Sequence, residues 1–237
     1  MKPLVIAHRG ASAYRPENTL PAYDLAVEQR ADMIEIDLHR TRDGAIVVTH
    51  DEDLAGIGGR GEIADASLEQ VRELDAGGGE RVPLLEEVLD RYGERIPFNL
   101  EIKRGTRADY EGLERLVLDA VVRRGLLAGM LFSSFYDPVL ARLRALAPEA
   151  RIGLLVSAKF PHRAVERALS LGAEALHPED SVVTRSLVRD AHDAGLSVYV
   201  FTVDDPGEMR RMLDLGVDGL FTNHPDRMRA LVDREGG

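Results

Sequence analysis

The chain has 237 residues and a formal net charge of −11, from 41 acidic against 30 basic side chains. That balance argues against a general nucleic-acid or anionic-membrane binder, since both need a basic face; its plainest meaning is solubility. Cysteine is absent and hydrophobic residues make up 44%, which excludes disulfides and thiolate metal ligands, fits a reducing compartment and allows a sizeable core.

The N-terminal run Met1–Ala7 carries one positive charge and is ended by His8-Arg9. It is too short for the apolar region of a signal peptide. No stretch approaches the roughly 20 apolar residues of a membrane span. A cytoplasmic protein with no stable membrane insertion is expected.

Short apolar runs then alternate with segments of helical period. The expected strands are Leu4–Ala7, Met33–Leu38, Phe98–Ile102, Met130–Ser133, Ile152–Val156, Ala173–Leu176, Val198–Val203 and Gly219–Thr222. Between them, Leu113, Leu116, Val117, Ala120 and Val121 form one apolar stripe. Val139, Leu140, Leu143 and Leu146 form another, and Met209, Met212 and Leu213 a third. Thr19 precedes a helix, Ser67 with Gln70 reads as a capping box, and Gly172, Gly195 and Gly216 sit where helices should stop. Eight strands alternating with helices imply an α/β protein, a closed parallel (β/α)8 barrel occupying residues 1–237 as one domain. Asp43-Gly44 adds a hairpin, with Ile46–Thr49 returning antiparallel to the second strand. The glycine-rich stretch Glu52–Val82, with one weak helix at Ser67–Leu74, reads as an excursion over the barrel mouth.

Polar groups gather where the apolar runs end. Glu35 and Asp37, two apart on a strand, share a face. If they point into the barrel, a metal ion is the simplest compensator of two buried like charges, and oxygen-only ligands favour magnesium or calcium. A surface strand of alternating charge is the other possibility. Asn99, Glu101 and Lys103 share a face in the same way. Glu101 can complete a three-carboxylate site and Lys103 can reach a phosphoryl oxygen; the alternative is a salt-bridged strand end. His8-Arg9-Gly10 pairs a group that exchanges protons near neutrality with a fork that matches phosphate. His50-Asp51 supplies a second histidine, so that one can act as base and the other as acid. Capping or loop roles remain open for both histidines. Pro16-Glu17-Asn18-Thr19 is a turn and cap, or Glu17 orients Arg9, His8 or a metal-bound water.

Other features carry less. Gly56, Gly58 and Gly61 match dinucleotide-fingerprint spacing, but no strand runs into them and no long helix follows, so they imply no nucleotide site. His39, His162 and His192 read as surface residues. His177 and His224 each precede proline at a strand end, where a turn role is expected.

At this point the set resembles the glycerophosphodiester phosphodiesterase family. The resemblance runs in order through His8-Arg9-Gly10, Pro16–Thr19, Glu35-Ile36-Asp37 with Thr41–Gly44, and His50-Asp51. It continues through Leu74–Gly77, Pro83–Leu89, Leu100–Lys103, Phe201–Pro206, Gly216–Gly219 and Thr222–Asp226, nearly the whole chain. It implies a distorted TIM barrel that hydrolyses a small-molecule glycerophosphodiester to sn-glycerol 3-phosphate and an alcohol. It also implies His8 and His50 as the acid–base pair, and Glu35, Asp37 and Glu101 as ligands of one divalent cation, Mg2+ or Ca2+. Arg9 and Lys103 would then lie on the phosphate, with Glu17 and Phe201 as further substrate-side residues. A cyclic glycerol phosphate intermediate is an analogy with the wider phosphodiesterase barrels.

The chain departs from the family pattern at Leu54-Ala55-Gly56-Ile57, where a Leu-Asp-Arg-Thr-like stretch is common. It departs again at Phe201 and Asp204, where tryptophan and asparagine are common. These positions bear on head-group preference. The short excursion implies a small cap and an open entrance, leaving the alcohol in solvent and tolerated broadly. The rival readings are a lysophospholipase D-type enzyme on the same site, with Phe160-Pro161 as its apolar lip, and a silent phosphate-binding barrel. The oligomeric state is not legible.

Overall fold

A computed structural model describes residues 2–106 and 109–235. Eight parallel strands close a ring: Leu4–His8 (β1), Met33–Arg40 (β2), Phe98–Ile102 (β4), Met130–Ser134 (β5), Arg151–Val156 (β6), Ala175–Pro178 (β7), Ser197–Val200 (β8) and Gly219–Thr222 (β9). Closure comes from β1, which pairs with both β2 and β9, so the two ends of the chain meet in one sheet. The remaining strand, Ile46–Val48 (β3), lies outside the ring, antiparallel to β2 in the hairpin read from Asp43-Gly44.

The barrel has two apolar compartments because strand residues alternate faces. Outward-facing Val5, Ile34, Ile36, Leu100 and Phe132 join the large core beneath the helices. Those helices include Leu20–Glu28 (α1), Leu85–Tyr92 (α3), Leu113–Val122 (α4), Asp137–Leu146 (α5) and Pro206–Leu215 (α8). The stripes seen in the sequence are their buried faces, except that Leu116 and Leu146 are exposed and Leu213 is half-buried. Inward-facing Ile6, Met33, Leu131, Ala175, Tyr199 and Phe221 fill the barrel as a separate cluster. Among the described residues no helix is long and apolar enough to cross a membrane.

The excursion builds its own small core from Leu54, Ile63, Ala66, Val71 and Val82 against Val47 of β3. Its helix, Leu68–Arg72 (α2), carries the capping box: Ser67 Oγ accepts from the Gln70 N–H while Gln70 Oε1 accepts from the Ser67 N–H. Gly56, Gly58 and Gly61 lie in and after a 3-10 turn over Leu54–Ile57, with no strand leading in.

One expected turn residue is misplaced by the sequence reading. β7 runs to Pro178 rather than ending at Leu176, so His177 lies inside the barrel, fully buried. Its ring packs on Tyr199 and Phe221, with centroids 5.5 and 5.1 Å away. Gly153 of β6 makes the room, since any Cβ there would come within 2.4 Å of the imidazole. Neither ring nitrogen has a hydrogen-bond partner among the described residues. Burial drives its pKa down from 6.5 to about 3, so the folded protein holds the ring neutral.

A proton that only the unfolded chain binds makes stability fall as pH falls. For His177 that window runs from 6.5 down to about 3, with a slope of at most about 1.4 kcal/mol per pH unit. In urea titrations at pH 7.5 and pH 5.0, His177→Leu should therefore show a smaller loss of midpoint than the parent chain. Equal losses in both would show that the buried ring contributes nothing to acid sensitivity.

Candidate active site

Parallel strands deliver their C-terminal residues to one end of the ring. There β1 ends in His8, followed by Arg9, β2 presents Glu35 and Asp37, and β4 presents Asn99 and Glu101, followed by Lys103. The register sets His8 beside Glu35, Glu35 beside Asn99, and Asp37 beside Glu101. His50 arrives from the segment after β3. With Phe135, Leu155, Phe201, Thr202 and Phe221, seven of these polar residues — all but Asp37 — line a cavity of about 240 Å³. No residue of the excursion lines it; the apolar wall comes from the chain after β5 and β8, from the end of β6 and from within β9.

The local path of His8-Arg9-Gly10 is built for this placement. Gly10 has φ +83°, and a Cβ there would sit 2.8 Å from Ala22. Arg9 itself has φ 56°, a costly conformation for a side-chain-bearing residue. It is held by its N–H, which donates to Glu35 Oε2 at 3.0 Å.

Glu35, Asp37 and Glu101 are all buried, and each offers a carboxylate oxygen within 4.8 Å of the others. Two cations face them. Lys103 Nζ lies 2.7 Å from Asp37 Oδ1 and 2.6 Å from Glu101 Oε1, and Arg9 Nε lies 3.2 Å from Asp37 Oδ2. Burial opposes the Asp37 charge, but Lys103 and Arg9 override it and hold that carboxyl below its usual range. Glu35 goes the other way: burial first, then the Asp37 and Glu101 charges, push it well up. Glu35 Oε1 and Asn99 Oδ1 are buried without a hydrogen-bond partner among the described residues. Three carboxylates against two cations leave one excess negative charge and an unsatisfied oxygen on Glu35. A hard divalent cation fits that all-oxygen donor set.

The two histidines are held differently. Asn223 Nδ2 donates to Asp204 Oδ2 at 2.6 Å, which turns Asn223 Oδ1 toward His8 Nδ1 at 2.8 Å. That oxygen accepts the Nδ1 proton, so His8 Nε2 keeps its lone pair. Burial, then the Arg9 charge, lower the His8 pKa to about 4, which keeps the ring neutral. His50 Nδ1 instead faces the Asp51 carboxylate at 2.8 Å.

Glu17 takes both its hydrogen bonds from Arg9 Nη1, at 3.0 and 2.9 Å, one of the roles open to it in the sequence. Phe201 packs edge-on to Phe135, with ring centroids 5.7 Å apart. His39 corrects the sequence reading, which put it on the surface. It is buried, donates from Nε2 to the His50 carbonyl at 3.0 Å, and receives the Tyr110 hydroxyl at Nδ1 at 2.7 Å. It therefore ties the His50 segment to the chain beyond Lys103. Asn18 was also overlooked beyond its place in a turn; its amide donates to Asp37 Oδ2 at 2.8 Å. His192 is exposed beside Asp218, and His224 sits before the last helix, Pro225–Glu235 (α9), against Tyr14.

The chain has relatives among known proteins. A family profile described as "Glycerophosphoryl diester phosphodiesterase family" matches residues 8–227. The glycerophosphodiester phosphodiesterase of Caldanaerobacter subterraneus subsp. tengcongensis is 37% identical, with 100% of both chains covered. That of Bacillus subtilis is 34% identical over 94% of this chain and 84% of its own. Among solved structures, an Oleispira antarctica phosphodiesterase in complex with the product sn-glycerol-3-phosphate is similar, with a TM-score of 0.84 and 34% identity. The similarity covers 98% of this chain and 97% of that one.

Proposed function

The chain belongs to the glycerophosphoryl diester phosphodiesterase family and is a phosphoric diester hydrolase, and from that premise we propose that it cleaves glycerophosphodiesters to sn-glycerol 3-phosphate and an alcohol, using one divalent cation and a histidine pair. The observation that carries this reading is the meeting, at one barrel end, of two histidines with different partners, a buried three-carboxylate cluster and two cations. The product bound by the Oleispira relative supports glycerol phosphate as the half that is retained. The cysteine-free composition suits a reducing interior, and a cytoplasmic site of action belongs to the same reading.

Glu35, Asp37 and Glu101 would hold the cation, which supplies neutralisation of charge on phosphorus-bound oxygens. Arg9 and Lys103 set the phosphoryl group, Arg9 steadied from behind by Glu17. His8 Nε2 takes the proton of the attacking hydroxyl as its oxygen bonds to phosphorus. The bond from phosphorus to the alcohol oxygen breaks, and His50, backed by Asp51, gives that oxygen a proton. Where the attacker is the glycerol's own hydroxyl, water opens the resulting ring with the two histidines in exchanged roles.

Arg9 and Lys103 suit any phosphodiester, so preference for glycerol falls to hydrogen bonds with its hydroxyls and to carbon packing near Phe201. A site that bonds hydroxyls rejects analogues lacking them by orders of magnitude. The test is coupled detection of sn-glycerol 3-phosphate from a glycerophosphodiester panel, run beside a diester whose glycerol is replaced by propanol and whose released alcohol is assayed. The glycerol diesters should turn over and the propyl diester should be nearly inert. Comparable kcat/KM for both would remove glycerol from the substrate definition.

A further inference from the structure

We propose that a basin beside the catalytic cavity is a subsite for the alcohol half of the diester, and that it favours uncharged alcohols with an apolar chain or ring. The inference rests on the diesterase reading above. The basin has a volume of about 650 Å³ and is walled by Phe135, Tyr136, Leu155 and Phe160, among others. Phe135 and Leu155 also line the catalytic cavity, so the two spaces share a wall.

Size divides the substrate between them. The catalytic cavity, at about 240 Å³, falls below the roughly 300–1,000 Å³ typical of small-molecule pockets. It suits glycerol phosphate alone, and its polar groups suit that half. The basin, at about 650 Å³, lies within the range. In place of an alcohol left in solvent, as the short excursion suggested, the structure offers it a surface.

Chemistry then narrows the alcohol. Phe160 is 72% exposed and Tyr136 40%. The other large exposed side chains nearby in type, such as Leu116, Val122 and Leu169, sit singly on helices, where isolated apolar exposure is ordinary. Two exposed aromatics around one concavity next to a reaction centre gain by being covered. Among the described residues no carboxylate lines the basin, so a choline or ethanolamine head group finds no counter-ion there. Its cations point the same way. Arg167 is committed to Asp137, at 2.5 and 2.9 Å, and Lys159, which makes no ion pair among the described residues, would repel a cationic alcohol.

The experiment measures kcat/KM for methyl, butyl and hexyl esters of sn-glycerol 3-phosphate and for glycerophosphocholine, with the parent chain, Phe160→Ser and Tyr136→Ala. A fully buried methylene is worth about fourfold, and this basin is partly open, so the hexyl ester should exceed the methyl ester by about tenfold or more. Glycerophosphocholine should fall nearer the methyl ester. Phe160→Ser should cut the hexyl-to-methyl ratio by about threefold or more while leaving the methyl ester unchanged, and Tyr136→Ala should act in the same direction. A flat chain-length series with active enzyme, or equal losses on both esters, would overturn the subsite and leave the diesterase reading intact. No turnover of any glycerophosphodiester would bring down both. A lysophosphatidylethanolamine favoured over glycerophosphoethanolamine, with that preference lost in Phe160→Ser, would put a chain of the glycerol half in the basin and overturn the assignment.

Discussion

Exhaustive EDTA treatment should abolish turnover of glycerophosphodiesters, and magnesium or calcium should restore it. The reason lies in the imbalance of the carboxylate cluster. Glu35 is pushed up by burial and by the Asp37 and Glu101 charges, and its Oε1 has no donor. A bound cation removes that penalty and adds several kcal/mol of transition-state charge stabilisation, so its loss should cost about 10³-fold or more. Glu35→Gln and Asp37→Asn should reproduce the loss in the presence of metal. Calorimetry separates metal binding from damage to the fold. The metal-free parent chain should gain thermal stability on adding the cation, since a ligand that binds only the folded state stabilises it. Glu35→Gln should lose that gain while being no less stable than the metal-free parent, because it removes a like charge from a buried site. Full activity after chelation would take the cation out of the mechanism, and an unchanged metal-dependent Tm gain in Glu35→Gln would take Glu35 out of its ligand set.

The strands and the acidic cluster were legible because both depend on local alternation. Glu35 and Asp37 share a face by spacing, and so do Asn99 and Glu101; the parallel register then brings the two pairs together. The same two-residue rule extends from Asp37 to His39, and applying it one step further would have placed His39 with the site. Polar neighbours made Leu38-His39-Arg40 look like a strand leaving the barrel. His177 was misjudged for a related reason. Proline after histidine reads as a turn, yet Pro178 can end a strand that is still paired, and the space that holds the ring comes from Gly153 on another strand. The mouth was the least legible part. Phe135 and Leu155 stand alone in the sequence with no motif around them, and only closure of the ring sets them opposite His8 and His50. Asn223 matched the family pattern and Asp204 departed from it, but their part in holding His8 depends on a contact across 215 residues of sequence.

His8→Ala and His50→Ala should each lose about 10²–10⁴-fold in kcat on a diester with a poor leaving alcohol. The two losses should then part company when the leaving group is changed. In the proposed mechanism His50, with Nδ1 against Asp51, gives a proton to the departing oxygen. An activated leaving group such as p-nitrophenolate departs without that help, so sn-glycerol 3-phosphate p-nitrophenyl ester should restore much of the rate in His50→Ala. In the same mechanism His8, whose Nδ1–H donates to Asn223 Oδ1, accepts a proton from the attacker. Attack is needed whatever departs, so His8→Ala should stay slow on both esters. Asn223→Ala should resemble a mild His8→Ala, lowering kcat on both, because the ring loses the partner that fixes its tautomer. The esters can be compared in one coupled assay for the phosphate product, with circular dichroism confirming that each variant is folded. Rescue of His8→Ala but not His50→Ala by the activated ester would exchange the two assignments, and near-normal kcat in either variant on the poor leaving group would make that histidine structural.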